Sequence, residues 1–378
     1  MKFKISDLVA VNMETLKAKD DVFDVEYADT GSVTAGIFGP AEYFESLRQA
    51  PSRARRVAMA GDTVYSTVRP NQRHFGFITN KLANRIYSTG FAVLHPNPEK
   101  VLPYYFYLIM NQEWVTEMLQ SVGSGSTSAY PSIRPGDILN LEVEVPDLET
   151  QRRIVNIFQS LDGKMLVNNQ INDNLLELAQ QIFVGKYLSK QDSFPMTTLS
   201  EIVGVKTDTF NPKKSNDNEV AHFSLPAFDS GSVPTVDLVD SIKSNKNIIT
   251  QYTVLVSKMN PTTKRVWIPN YVQGMTNVAS TEFLTFNASD EYQQAFIWAV
   301  VDSEGYQNHL ISGATGSTGS RQRIKPGDAY SFEVGYNPDE AQRIGMILNP
   351  LIQQVKNNRD EIVTLVQLRN NLLTNLLN

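Results

Sequence analysis

The chain reads as an α+β protein composed of one unit written twice: a domain of mixed α/β structure, a long helix, and then both again. Three observations predict this. Between Pro146 and Leu188, Ile154, Ile157, Leu161, Ile171, Leu175, Leu178 and Ile182 follow alternating steps of three and four, with Lys164 and Asn168 as polar interruptions. So narrow a stripe suits a helix lying along another helix better than an ordinary core helix. A second stretch of the same character spans Asp339 to Leu377, with Val355, Asn358, Ile362 and Leu365 in its seam. Finally, paired motifs recur at a nearly constant offset. Ser66 and Pro70 match Ser257 and Pro261, Gly125-Ser126-Thr127 matches Gly316-Ser317-Thr318, Ile133 to Asp137 matches Ile324 to Asp328, and Gln151-Arg152 matches Gln342-Arg343. A repeat of half the chain is too long for a solenoid. It predicts two domains with internal pseudo-two-fold symmetry and two helices forming an antiparallel coiled coil.

The expected order is a first domain over 1–146, a central helical region over 147–188, a second domain over 189–338 and a C-terminal helical region over 339–378. In the first domain, β-rich runs bounded by Gly, Pro and Asn predict strands at 23–28, 64–68, 75–79, 90–95 and 141–145. Residues 104–120 read as one helix with Pro103 in its first turn, and 133–137 as a turn. Strands are expected at 220–225, 253–257, 266–268 and 283–286 of the second domain, with a helix over 292–301. Each long helix should be jogged, the first at Ser160 and Gly163 and the second at Asn349-Pro350, where an N-cap precedes proline. Asn168 and Lys164 read either as register-fixing seam residues or as groups facing a partner protein.

A chain of 378 residues with 41% hydrophobic and 20% charged content has room for two ordinary cores. No apolar run is long enough for a membrane span or a leader, so the expected location is cytoplasmic. There is no cysteine, which excludes disulfides and thiolate chemistry. The four histidines lack metal-ligand spacing, and no phosphate loop, nucleophile elbow or zinc-protease motif is present. The Asn-Pro dipeptides lack the second proline and the aromatic that amino-methyltransferases use to hold an extruded base. The chain therefore reads as non-catalytic, with no cofactor or metal of its own.

A net charge of −6 speaks mildly against a general nucleic-acid binder, but its distribution does not. Eight basic residues against one acid lie between Arg48 and Arg85, and five against none between Lys243 and Arg265, at equivalent places in the repeat. Within them, Ser66 to Phe75 crowds Arg69, Asn71, Arg73 and His74 around a proline turn, side chains able to read base edges or pair with phosphate. Its counterpart offers Asn260, Thr262, Lys264 and Arg265. Drifting surface loops remain the alternative. The Ser/Thr/Gly loops, with Ser126, Thr127 and Tyr130 in one half and Ser317, Thr318, Arg321 and Arg323 in or beside the other, suit phosphate or serve as plain connections.

Pro146-Asp-Leu-Glu-Thr-Gln151 followed by Ile154, Leu161 and a long helix, preceded by a Gly-Ser-Thr loop and repeated once, resembles the specificity subunit of type I restriction-modification systems. Ser66-Thr-Val-Arg-Pro-Asn71 resembles a form found in their target domains. The second copy departs from the pattern, with Asn337 where Pro146 stands and Pro350 inside the helix. The resemblance implies two target-recognition domains on a helical spacer, which direct two adenine-N6 methyltransferase subunits and the restriction subunits to a bipartite, asymmetric site on double-stranded DNA. It also implies that S-adenosylmethionine is bound by the methyltransferase. A helix pair of ~40 Å fits the idea, since one DNA turn is ~34 Å. The rival reading is a two-domain non-DNA binding or scaffold protein held by an internal coiled coil. Aromatic-lined grooves in both domains would mark that one.

Overall fold

The computed structural model describes residues 1–124, 131–316 and 322–377. It divides into two compact units, residues 1–162 with 367–378, and residues 163–366. Among the described residues no helix is long and apolar enough to cross a membrane.

In the first unit the strands at Glu42–Ser46, Phe23–Ala28, Ile86–Ser88 and Ala54–Val57 form one sheet in that order, with a parallel pair in its centre. Val9–Val11, Phe91–Pro96, Thr63–Ser66 and Phe75–Phe77 form a second, antiparallel one. The strands Thr63–Ser66 and Phe91–Pro96 are apolar on both faces because one face meets the first sheet and the other meets helices. Val64, Tyr87, Phe91 and Val93 cluster on one side, and Tyr65, Ala92, Leu94 and Phe106 on the other. The single helix expected over 104–120 is two, Pro103–Met110 and Glu113–Ser124. Asn111 turns the corner, and its carbonyl is taken by the Arg73 guanidinium, a long-range partner that compensates for ending the helix there. The turn expected over 133–137 opens a short helix, Pro135–Leu139.

The second unit repeats this order. Thr235–Leu238, Glu219–Phe223, Asn277–Ala279, Lys246–Ile248 and Thr209–Phe210 form a five-stranded sheet, again with one parallel pair. Val266–Trp267, Thr253–Ser257 and Phe283–Asn287 form a three-stranded sheet. The helices Glu291–Val301 and Glu304–Ser312 follow. Each unit has its own two-stranded ladder, Lys2–Lys4 with Glu142–Glu144 and Met196–Thr198 with Glu333–Gly335.

The two long helices, Leu148–Lys186 and Pro338–Leu377, run without the expected jogs. The Ser160 hydroxyl donates to the Asn156 carbonyl (2.6 Å) within the helix instead of capping a new one. Pro350 lies inside the second helix, where it forgoes one backbone donor. The stripe expected on the first helix also needs correction. Ile157, Ile171 and Leu178 are 43%, 40% and 45% exposed, and Leu161, Leu175 and Ile182 are half-buried. The buried line keeps Ile154 and Asn168 of that stripe and otherwise runs through Val155, Phe158, Asn172, Ala179, Phe183 and Tyr187. Phe158, Phe183 and Tyr187 bury the largest areas and so set the rotational phase of the helix. On the second helix Val355 and Asn358 are buried, and Ile362 and Leu365 are half-buried.

Inside the second unit the seam between these helices is polar over several turns. Asn168 Nδ2 donates to Glu361 Oε2 (2.7 Å), and Lys164 pairs with the same carboxylate at 3.4 Å. Asn358 Nδ2 donates to Asn172 Oδ1 (2.8 Å), and Asn358 Oδ1 accepts from Gln354 Nε2 (2.7 Å). Contacts that climb one helix descend the other, so this stretch is antiparallel.

Candidate nucleic-acid interface

In the first unit the strand Thr63–Ser66 leaves its sheet into a turn held in a strained backbone. Arg69 is left-handed (φ 49°), Pro70 opens a single 3-10 turn to Gln72, and Arg73 is left-handed again (φ 55°). A non-glycine residue in that region costs on the order of 1 kcal/mol, so the surroundings must impose it. The Arg69 N–H donates to the Pro131 carbonyl (2.9 Å), Thr67 N–H to Gly90 (2.8 Å) and Ile133 N–H to Thr67 (2.9 Å). The Ser66 hydroxyl donates to the Val68 carbonyl (2.9 Å) and accepts from the Val68 N–H (3.1 Å).

The second unit repeats these hydrogen bonds, with one left-handed residue in place of two. Asn260 is left-handed (φ 51°), and its N–H donates to the Gln322 carbonyl (2.8 Å). Lys258 N–H donates to Glu282 (3.0 Å) and Ile324 N–H to Lys258 (3.1 Å). The Ser257 hydroxyl donates to the Met259 carbonyl (2.9 Å) and accepts from its N–H (3.2 Å).

Each frame is braced by a cation from the turn onto the end of a helix. Arg73 Nη2 donates to the Asn111 carbonyl (2.9 Å) and to its Oδ1 (2.8 Å), and the guanidinium lies over the Phe75 ring, 5.3 Å from its centroid. Lys264 Nζ reaches the Asp302 carboxylate (2.7 Å) and carbonyl (2.8 Å), and Asp302 closes the helix Glu291–Val301 just as Asn111 closes Pro103–Met110. Burial pushes the Asp302 carboxyl up, and the Lys264 ammonium opposes that shift. Asn111 and Asp302 were missed in the sequence, although extending the constant offset of the repeat pairs them.

The remaining expected contact residues are placed as follows. Asn71 is exposed, with its backbone N–H on Gln120 Oε1 (3.1 Å). Thr262 is exposed, and its hydroxyl donates to Asn260 Oδ1 (2.9 Å). The His74 ring is held by the Val33 carbonyl (2.6 Å) and the Gln72 amide oxygen (3.2 Å). Arg265 grips Asp229 with two donors (2.7 and 3.0 Å), and Arg323 pairs with Glu282 at 3.1 Å. Arg69 is half-buried. Ser126, Thr127, Tyr130, Ser317, Thr318 and Arg321 lie outside the described residues. The basic blocks are also partly neutralised from within, since Arg48 meets Asp21 at 2.8 Å and Arg85 meets Glu26 at 3.5 Å. The structure therefore brings Arg69, Asn71, Arg73 and His74 onto one turn and Asn260, Thr262 and Lys264 onto its twin. It commits Arg73, His74, Lys264 and Arg265 to contacts within the chain.

Residues 1–177 match the model of the type I restriction modification DNA specificity domain family. The type I restriction enzyme HindI specificity subunit of Haemophilus influenzae is 32% identical over 160 residues, which are 42% of this chain and 35% of the relative. The matched stretch thus spans about a third of that relative's length. Among solved structures, the S subunit of a type I restriction-modification system from M. genitalium is similar with a TM-score of 0.52 at 13% identity, over 100% of this chain and 96% of that one. The HsdS subunit from Thermoanaerobacter tengcongensis aligns over 100% and 96% of the two chains, with 19% identity and a TM-score of 0.41. The M. genitalium likeness is one of fold.

Proposed function

We propose, from the match of residues 1–177 to the type I restriction modification DNA specificity domain family, that the whole chain is a sequence-specific DNA-recognition subunit with two readers. It directs adenine-N6 methyltransferase and restriction subunits, in the cytoplasm, to a bipartite and asymmetric target on double-stranded DNA. The observation that carries this reading is the duplicated turn. Two frames share their backbone bonds and helix brace, yet present Arg69-Pro-Asn-Gln in one unit and Asn260-Pro-Thr-Thr in the other. A common scaffold with unlike side chains suits two short half-sites of different sequence.

The long helices supply the rest of the reading. Leu166, Val167, Ile171 and Leu178 are exposed apolar residues on the first of them. They lie off the buried seam and suit a partner's groove, as a methyltransferase subunit would need. The chemistry and the S-adenosylmethionine then belong to that partner, and this chain chooses the site. The test is the methylome of a methylation-free host that expresses this chain with its neighbouring methyltransferase. The expected result is N6-methyladenine confined to one split, asymmetric motif. A soluble complex of the two proteins that leaves the genome unmethylated would overturn the proposal.

A further inference from the structure

The two frames hold four exposed polar side chains at matched positions directly after the turn's proline: Asn71 and Gln72 in the first unit, Thr262 and Thr263 in the second. The cations that follow them are already spent. Arg73 is fastened to Asn111 and Lys264 to Asp302, so neither guanidinium nor ammonium can swing to a base edge without releasing a helix end. We propose that the two residues after the proline discriminate bases in each half-site, and that Arg73 and Lys264 are positioning residues that hold the turn rigid. This rests on the DNA-recognition reading above and assigns its discriminating groups.

The chemistry fits the division. The Asn71 amide matches the donor–acceptor pair on the major-groove edge of adenine, while Gln72, its oxygen shared with His74, offers its N–H donors, and Thr262, its hydroxyl proton on Asn260, offers an acceptor lone pair and a methyl. A reader also needs a fixed platform, because a mobile side chain loses rotamer entropy on binding. The left-handed residues Arg69 and Asn260, locked by bonds to Pro131 and Gln322, supply one in each unit.

The experiment uses the full methyltransferase complex and the methylome readout, with Asn71→Thr/Gln72→Thr as one variant and Thr262→Ala/Thr263→Ala as the other. The first should change or relax the first half-site by roughly tenfold to hundredfold in discrimination at one or two positions, and leave the second half-site intact. The second variant should do the converse. Because these side chains are exposed, the untouched half-site serves as the internal control for folding. Both half-sites unchanged in both variants would overturn the assignment. So would loss of all methylation at an unchanged thermal midpoint, because the pair would then carry affinity rather than discrimination. If the unaltered chain gives no split motif, the DNA-recognition reading itself fails, and the assignment fails with it.

Discussion

Lys356 shows how a single half-buried charge sets a pH dependence. Its ammonium donates to Gln294 Oε1 (2.8 Å) inside the second unit. Burial, followed by repulsion from Arg359, lowers its pKa from 10.5 to about 8, while Asp360 and Glu291 act the other way. The folded chain therefore binds fewer protons than the unfolded one between pH ~8 and pH 10.5, and stability rises with pH across that window. Lys356→Met removes the penalty but leaves the Gln294 oxygen unpartnered at every pH. Thermal midpoints of both proteins at pH 7 and pH 10 should show the variant losing ground to the wild type as pH rises, and a constant difference would refute this. Single residues were only partly legible from sequence. The basic turns were visible as clusters of Arg and Lys, but not that Arg73, Lys264, Arg265 and Arg323 are engaged. Their partners, Asn111, Asp302, Asp229 and Glu282, are brought to them by the fold from other elements.

At the scale of elements, the long helices and most strands of both units could be read from period and composition. The rotational phase of the first helix could not. The aliphatic residues Ile157, Ile171 and Leu178 carry the visible period, whereas Phe158, Phe183 and Tyr187 decide which face turns inward. Asn168 lies on the seam at 1% exposure, and Asn172, one turn on, is the partner of Asn358. That pair makes a sharp test of how polar groups act in a helix seam. Asn358→Leu alone strands the Asn172 amide oxygen and frees Gln354, and should cost about 1–3 kcal/mol. Adding Asn172→Leu removes the stranded acceptor and should return much of that loss, because two apolar side chains can then pack where two amides bonded. A double-mutant cycle by denaturant unfolding gives the coupling directly. Equal losses that simply add would show that the Asn172–Asn358 bond is not what holds this part of the seam.

The whole molecule is not cut where its repeat is cut. The first compact unit is residues 1–162 together with 367–378, so its fold is completed by the last turns of a helix that begins in the second unit. Leu372, Leu373 and Leu377 pack against the core that contains Phe106, Leu108 and Phe158. Arg369 Nε donates to Asp162 Oδ1 (2.8 Å), and Asp162 also accepts from the Tyr104 hydroxyl. The Arg369 guanidinium sits 5.9 Å from the Phe158 ring centroid. A chain ending at Val366 loses three partly buried leucines at roughly 1–2 kcal/mol each and leaves Asp162 without its cation. The expected cost is therefore several kcal/mol, a large share of the stability of a domain of this size. It should fall on residues 1–162 alone, because the second unit's own contacts end at Val366. Hydrogen exchange would separate the outcomes: amides of Thr63–Ser66 and Phe91–Pro96 should lose protection in the truncated chain while those of Thr253–Ser257 and Phe283–Asn287 keep theirs. Uniform loss across both sets would mean that the two units unfold as one. Unchanged protection in the first set would mean that residues 1–162 hold their fold without the last turns of the second helix, and that the packing of Leu372, Leu373 and Leu377 contributes little.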